Sequence, residues 1–568
     1  MTILVNDPHS FADESLAAFA QAHPGSVQLV DGGIVRAAAG PATRVAIVSG
    51  GGSGHFPAFA GWVGDGLLEG AACGAIFSSP SQRQIVTVAR SADNGAGVLF
   101  VPINYAGDIL HFGAAAEELR HAGIDARMVA ITDDIASGSA AEPNTRRGIA
   151  GSFPIVKILG AAAAAGSTLD ELERLAIRSN EATRSFGVAF SGCTLPGSDH
   201  PLFEVPPGRM AVGLGIHGEP GISEAPIGTA DEVTDLVIDG LFEERSPERG
   251  RAVAVLVNGL GTTKYDELNL VLARTIRRLD DAGMVAVAPV VGELVTSLDM
   301  AGLSISLTYL DDETEAFWLA SASSPAFTRR EFEPAAPLRT VWHDEADVAI
   351  ERGSAGSHSA AARILSGFER AHEALRREEE ALGALDAVAG DGDHGVGMVR
   401  GVSGALDAAR AAVAAGAGAS TTLRMAGEKW SDASGGTSGA LWGDGLVAAA
   451  SALDDDRSPT GDDIVGAVRR FADAVAGRGG AAVGDKTMID AIAPFASELE
   501  RNHGRGLNLA DAWSAAAKSA AEGATLTAGF ASHLGRSRLH GSRSVGYADP
   551  GATSFALIVL TLDPLDAT

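Results

Sequence analysis

The sequence predicts a multidomain chain, with an α/β first half followed by an all-helical second half. Three observations carry this. First, residues 1–335 alternate short β-branched runs with helical segments. The runs are Val45-Ala-Ile-Val48, Gly97-Val-Leu-Phe-Val101, Met128-Val-Ala-Ile131, Val212-Gly-Leu-Gly-Ile216 and Val253-Ala-Val-Leu-Val257. Each ends at a Gly-, Asp- or Asn-rich loop, where open α/β sheets carry their ligands. Second, residues 334–357 change character: Glu333-Pro-Ala-Ala-Pro337, a charged stretch, then Gly353-Ser-Ala-Gly-Ser357. This reads as an interdomain linker. Third, strand signals nearly vanish from residue 358. Ala/Leu-rich helical patterns occupy 359–384, 399–415, 418–430, 437–453, 461–477, 487–502, 508–523 and 552–563. The expected boundaries are therefore 1–335, a linker at 336–357, and 358–568. The Gly, Ser and Pro of 181–210 divide the first half into sub-domains of about 1–185 and 186–335.

Composition bounds the function. A length of 568 residues with 46% hydrophobic and 20% charged residues supplies a core for each domain. Aromatics are scarce, at 5%, so helices are expected to meet closely over Ala and Gly. The formal net charge of −29 repels nucleic acid and anionic membranes, and neither is expected as a partner. An anionic ligand has to be held locally, by metal, backbone amides or a helix N-terminus. The two cysteines, Cys73 and Cys193, form no CxxC, which suits a reducing cytoplasm. The N-terminal residues show no signal peptide, and no run of about 18 apolar residues suggests a membrane span.

The chemistry of the first half sits in three loops. Ser49-Gly-Gly-Gly-Ser-Gly-His55 bares backbone N–H groups that can cradle an oxyanion or a polyol hydroxyl, or it is a plain turn. It lacks the Gly-Lys-Ser/Thr of a P-loop. In Pro102-Ile-Asn-Tyr-Ala-Gly-Asp108, the aspartate is either a general base or the cap of a helix starting near Ile109. In Gly215-Ile-His217-Gly-Glu-Pro-Gly221, an accessible imidazole can act as base or nucleophile. His55, Asp108 and His217 each follow a predicted strand, so a shared pocket is expected.

The second half holds Asp386-Ala-Val-Ala-Gly-Asp-Gly-Asp-His394-Gly, with three carboxylates in eight residues. Carboxylates so close repel one another, and a hard divalent cation with oxygen ligands is the usual remedy. An EF-hand reading fails, because the glutamate it needs twelve positions on is replaced by Gly397 and Met398. A metal shared with phosphates, or a solvated acidic turn, remains.

Taken in order, these motifs closely resemble the dihydroxyacetone kinase family in its single-chain, ATP-dependent form. The resemblance runs nearly end to end. It covers Asn6-Asp-Pro, Ser49-Gly-Gly-Gly-Ser-Gly-His-Phe-Pro57, Asn104-Tyr-Ala-Gly-Asp108, Gly213-Leu-Gly-Ile-His-Gly-Glu-Pro-Gly221 and Gly390-Asp-Gly-Asp-His394. It continues through Gly435-Gly-Thr-Ser-Gly439, Gly484-Asp-Lys-Thr-Met488 and Asp549-Pro-Gly-Ala-Thr553. It implies a ketose-binding, two-part α/β K domain followed by an all-α, helical-barrel L domain that binds ATP and Mg²⁺. It further implies that His217 bonds covalently to the ketone carbon as a hemiaminal, which tells ketoses from plain polyols. Asp108 would be the base on the attacking hydroxyl, His55 would assist, and backbone of Gly51 and Gly52 would line the pocket. Asp386, Asp391 and Asp393 would hold Mg²⁺. His394, Gly436, Thr437, Ser438, Asp485, Thr487, Asp549 and Gly551 match nucleotide-site positions.

Three departures stand out. Ile103 and Ala106 replace the family's usual Lys and Thr before the base, and His111 stands where an Asn is common. The loop Ser532–Arg543 is longer than usual, so no role is carried over to Arg536, Arg538 or Arg543. An altered pocket wall predicts a changed ketose, four-carbon erythrulose as readily as dihydroxyacetone. The alternatives are a lyase cyclising a flavin dinucleotide, or a non-catalytic sugar-binding coregulator. Relatives form homodimers with domains crossed between chains, and the linker is long enough to allow the same here.

Overall fold

The computed structural model describes residues 4–219, 221–330, 350–534 and 543–562. The chain divides into two compact units, Met1–Leu338 and Arg339–Thr568. Most of the expected linker, residues 336–349, lies outside the described residues, as do Arg536 and Arg538.

The first unit is built on two six-stranded sheets. One comprises β1 (Val27–Val30), β2 (Gly33–Arg36), β3 (Ala46–Ser53), β4 (Gly70–Ile76), β5 (Val98–Phe100) and β6 (Ala126–Met128), in the order β1-β2-β4-β3-β5-β6. Its strands β4, β3, β5 and β6 run parallel. The other comprises β7 (Thr183–Ala189), β8 (Arg209–Val212), β9 (Ser223–Pro226), β10 (Ala252–Gly259), β11 (Val285–Gly292) and β12 (Gly302–Tyr309), in the order β11-β10-β12-β7-β8-β9. Only its β10–β11 pair is parallel among the described ladders.

Strand periodicity divides the buried side chains between faces. Ala46 and Val48 pack with helices Gln82–Ala92 and Ala106–His121, whereas Ile47 faces the other way. In β10, Val253, Val255 and Val257 pack on the outer helices, while Ala254 and Leu256 join the Ile47 cluster. That cluster is filled by helix Ser152–Ala164, buried at every position except its last. Its sequence, Ser-Phe-Pro-Ile-Val-Lys-Ile-Leu-Gly followed by four alanines, is apolar nearly all round, as an internal helix requires. One helical layer is thus shared by two sheets.

The second unit is helical throughout its described residues. Its helices are Ala355–Arg377, Glu379–Asp386, His394–Ala415, Ala419–Ser434, Gly436–Ala450, Gly461–Gly479, Ile489–Gly504, Leu509–Leu526 and Pro550–Thr561. From His394–Ala415 onward each helix packs on the next. The last returns to Ala355–Arg377, which also packs on His394–Ala415, and the ring closes. Buried alanines such as Ala405, Ala409, Ala426, Ala516 and Ala520 line the contacts. The middle of the ring holds an apolar cavity of about 870 Å³ between Trp430, Trp442, Phe471, Phe495, Trp513 and Phe555.

The division expected at about residue 185 falls beside the junction of helix Leu169–Ala182 with β7, the first strand in sequence of the second sheet. Three expectations need correction. Residues 355–357 belong to the first helix of the second unit, which Ser354 caps through the Ser357 N–H, and not to a linker. The pattern at 359–384 is two helices, divided at Glu378 (φ −104°, ψ 10°). The strand expected at 212–216 ends at Val212. Gly213 takes φ +74°, a left-handed conformation that a glycine adopts without steric cost, and leaves the sheet.

Candidate active site in two halves

The first candidate site lies in the first unit, at a cavity of about 280 Å³. The carboxyl end of β3 runs into the Gly-rich loop. At Gly52 a Cβ would stand 2.6 Å from the Ser78 backbone nitrogen, so only glycine allows this approach. Gly52 lines the cavity with Phe77, Ser79, Ile103, Tyr105, Ala106, Gly107, Asp108, His217 and Glu219. Gly51 and Gly52 also line an adjoining cavity with Phe19, Phe56 and Phe59.

Asp108 does not cap its helix. Helix Ala106–His121 begins two residues earlier, at an N-cap Tyr105 without a side-chain cap, and Asp108 sits in the first turn. It is 4% exposed, and its Oδ1 has no hydrogen-bond partner among the described residues. Burial raises its pKa to about 6, while Ser79 and His217 pull more weakly the other way. A buried carboxylate that lines a cavity and keeps one oxygen without a hydrogen-bond partner among the described residues can serve as a general base.

His217 arrives from the second sheet, in the turn between β8 and β9. His55 follows β3 and is fully buried, standing beside His217 without lining the cavity. Its Nδ1–H donates to the Thr296 carbonyl, at 2.8 Å, and its Nε2 lies 2.9 Å from Nε2 of His217. With the first proton of His55 committed to Thr296, one proton is shared between the two Nε2 atoms. Burial, then the His217 charge, lowers the His55 pKa to about 3, so His55 gives a proton back readily.

The second candidate site lies in the second unit, at a cavity of about 290 Å³. Asp386 ends helix Glu379–Asp386, and its Oδ2 accepts the Gly392 N–H at 2.9 Å. That bond folds the loop so that Asp386, Asp391 and Asp393 present oxygens within 4.8 Å of one another. Asp391 and Asp393 are exposed and Asp386 is half-buried. Three convergent hard oxygens fit Mg²⁺, with open positions for phosphate oxygens. The same cavity is lined by His394, Thr437, Ser438, Lys486, Thr487, Met488, Tyr547, Asp549 and Gly551. Thr437 and Ser438 are in the first turn of helix Gly436–Ala450, whose N–H groups and dipole suit an anion.

Four residues on the expected nucleotide list hold the local structure as well or stand off the cavity. Gly436 starts that helix without lining the cavity. Asp485 Oδ2 accepts the Ala482 N–H at 2.8 Å and closes its own turn. His394 Nε2 lies 2.9 Å from Ser554 Oγ, so its ring is tied to the last helix. Asp549 caps that helix, accepting from Ala552 N–H at 2.7 Å, and burial raises its pKa to about 7.

Several residues escaped sequence reasoning. Thr296 fixes His55 from 241 positions away. Lys486 spends its three N–H donors on the carbonyls of Phe530, Ser544 and Tyr547, tying down the cavity wall. Glu219 stands inside a recognised motif, yet nothing in the sequence says that its carboxylate reaches the His217 ring.

Comparison with known proteins decides the family. A Dak1 domain model matches residues 17–326 and a DAK2 domain model matches residues 388–563. The chain belongs to the dihydroxyacetone kinase family. It is 49% identical to the L-erythrulose 1-kinase of Mycolicibacterium smegmatis, over 99% of both chains. It is 46% identical to a D-erythrulose kinase of that organism, over 99% of this chain and 98% of the other. The dihydroxyacetone kinase of C. freundii in complex with AMP-PNP and Mg²⁺ is 29% identical, with a TM-score of 0.60 over 99% of both chains.

Proposed function

We propose that this ATP-dependent ketose kinase acts on erythrulose, holding the ketone carbon on Nε2 of His217 while a terminal hydroxyl is phosphorylated. The observation that carries the choice of ketose is the placement of Ile103 and Ala106 in the wall shared by Asp108 and His217. Where relatives commonly bring a cation and a hydroxyl, this wall is apolar and shorter by a hydroxyl. It asks for no hydrogen bond from the end of the sugar and leaves room for a fourth carbon. The likeness to two erythrulose kinases supports the same reading.

The covalent step balances with the groups present. Nε2 of His217 adds to the ketone carbon, the C=O π pair moves to oxygen, and the proton shared with His55 passes to that oxygen. A hydroxyl results, and the positive charge stays on the His217 ring. Asp108 then takes the proton of the terminal hydroxyl as it attacks the γ-phosphate. Bound Mg²⁺ neutralises phosphate charge and orients the chain. For this chain's part, the three aspartates hold the metal, and helix Gly436–Ala450 directs its N-terminus at the anion.

A panel of dihydroxyacetone and both erythrulose enantiomers with ATP and Mg²⁺ tests the substrate. One erythrulose enantiomer is expected to have the highest kcat/KM. The Ile103→Lys variant is expected to move the ratio toward dihydroxyacetone by about tenfold or more. A much higher kcat/KM for dihydroxyacetone than for either enantiomer in the unaltered enzyme sinks the four-carbon assignment. The His217→Ala variant is expected to lose most activity together with discrimination against glycerol.

The two halves of the site are carried by separate units. The same proposal therefore includes a homodimer in which each nucleotide half serves the partner's ketose half. Light scattering at working concentration is expected to give twice the chain mass of 57.6 kDa, and a monomer overturns the crossed arrangement.

A further inference from the structure

The ring of His217 has a second nitrogen, and the proposed covalent step gives it no role. Nδ1 lies 3.4 Å from Oε1 of Glu219. The other oxygen, Oε2, accepts the backbone N–H of His217 itself at 2.9 Å. One carboxylate thus hydrogen-bonds the main chain and stands within ion-pair distance of the ring of the same histidine. Behind it stands Arg147, whose Nη1 is 3.8 Å from Oε2 of Glu219. Arg147 is fixed in turn by the buried Asp134, which accepts from its Nε at 3.0 Å and its Nη2 at 2.7 Å. Asp134 is anchored by the Ala136 N–H at 3.0 Å. The chain Asp134–Arg147–Glu219–His217–His55–Thr296 therefore starts and ends on backbone.

We propose that Glu219 is the positioning residue of the covalent histidine. It holds the Nδ1–H so that Nε2 supplies the electron pair, and it balances the charge that the adduct leaves on the ring. Arg147 and Asp134 fix where that carboxylate stands. This rests on the hemiaminal reading of His217 and deepens it. The groups facing the ring agree with the assignment: His55 at Nε2, Asp108 across the cavity, and Tyr105 with its ring centroid 4.7 Å away. Glu219 is the carboxylate within reach of Nδ1. His217 and Arg147 outweigh the burial that would raise its pKa, and together with its own hydrogen bonds bring it to about 2. It is ionised across the working range. A carboxylate behind an imidazole selects its tautomer and pairs its cation, as it does behind metal-bound and catalytic histidines.

The test uses ketose labelled with ¹³C at the carbonyl carbon, read by NMR on the full-length enzyme without nucleotide. Unaltered enzyme is expected to show a bound carbon moved out of the ketone region. The Glu219→Gln variant keeps the shape and removes the charge. Its adduct signal and its kcat/KM are expected to fall roughly tenfold to a hundredfold, the usual range for a group supporting a reactive histidine. Its KM for ATP should hold. The Arg147→Lys variant, which leaves Glu219 in place but loosens it, should fall between. An unaltered enzyme without an adduct signal overturns the hemiaminal reading and this proposal with it. An adduct that Glu219→Gln keeps at full occupancy, with unchanged kcat/KM, overturns this proposal alone. Loss of the adduct in Glu219→Gln with an unshifted thermal transition supports it. Loss together with an unfolded first unit, while Arg147→Lys is folded and fully active, counts against it.

Discussion

Replacing Asp108 with Asn is expected to lower kcat/KM by about 10²–10⁴, the usual contribution of a general base. The loss should come with a change in pH profile. Burial raises the Asp108 carboxyl to about 6. A base works ionised, so the unaltered enzyme has its working form above that value. Its kcat/KM should fall about tenfold per pH unit below 6, and the variant should lack that limb. Stability should move the other way. Oδ1 is a buried acceptor without a partner among the described residues, a defect costing roughly 1–3 kcal/mol. Removing the charge from that position is expected to leave the melting temperature of the first unit unchanged or higher. A variant that keeps an acid limb near pH 6, or that loses activity only because it unfolds, would remove Asp108 from the role of base. Activity that falls while stability holds is the signature of a group kept for chemistry.

Much of this site could be read from the chain because its residues lie in the segments that follow strands. Runs such as Val45–Val48 and Val253–Val257 are continuous and β-branched. Buried strands covered on both faces need such runs, so the positions just beyond them could be named as loops. Asp108 and His217 were legible for that reason. Two things were not. The turn carrying His217 belongs to a different sheet from the loops of His55 and Asp108. No local pattern records that helix Ser152–Ala164 lies between the two sheets and brings their ends together. The supporting partners are also distant: Thr296 serves His55 across 241 positions, and Asp134 and Arg147 reach the His217 turn from over sixty positions upstream. Side-chain partnerships at such separations are products of packing. In the second unit the aspartate spacing revealed a convergent trio. The same reasoning missed that Asp485 and Asp549 close a turn and cap a helix, because an aspartate beside glycine or proline reads alike in both roles.

Neutralising one member of the trio, Asp391→Asn, is expected to abolish the response of the second unit to Mg²⁺ and nucleotide. Two effects of opposite sign are involved. Without metal, the three carboxylates lie within 4.8 Å and repel. Because two of them are exposed, the repulsion is at the watery end of the scale, about 1 kcal/mol per pair at such distances. Removing one charge relieves part of it, so the metal-free variant should melt at the same temperature as the unaltered protein or slightly above. With Mg²⁺ and a non-hydrolysable ATP analogue at about a hundred times the dissociation constant, binding stabilises the unaltered unit by about 2.7 kcal/mol. For a unit of this size that is roughly 5–10 °C in melting temperature. The variant should show almost none of this shift, because the two remaining carboxylates give up a ligand and a charge that the cation needs. Turnover should fall with it by at least about 100-fold, since the metal supplies several kcal/mol of charge stabilisation. The ¹³C signal of the ketose on the first unit should be unchanged, because that half-site is built from other residues. A ligand-induced thermal shift that survives in Asp391→Asn would mean that the nucleotide is held by the helix N-terminus and the Lys486 loop without the trio. A lost ketose signal would mean that the two sites are energetically coupled.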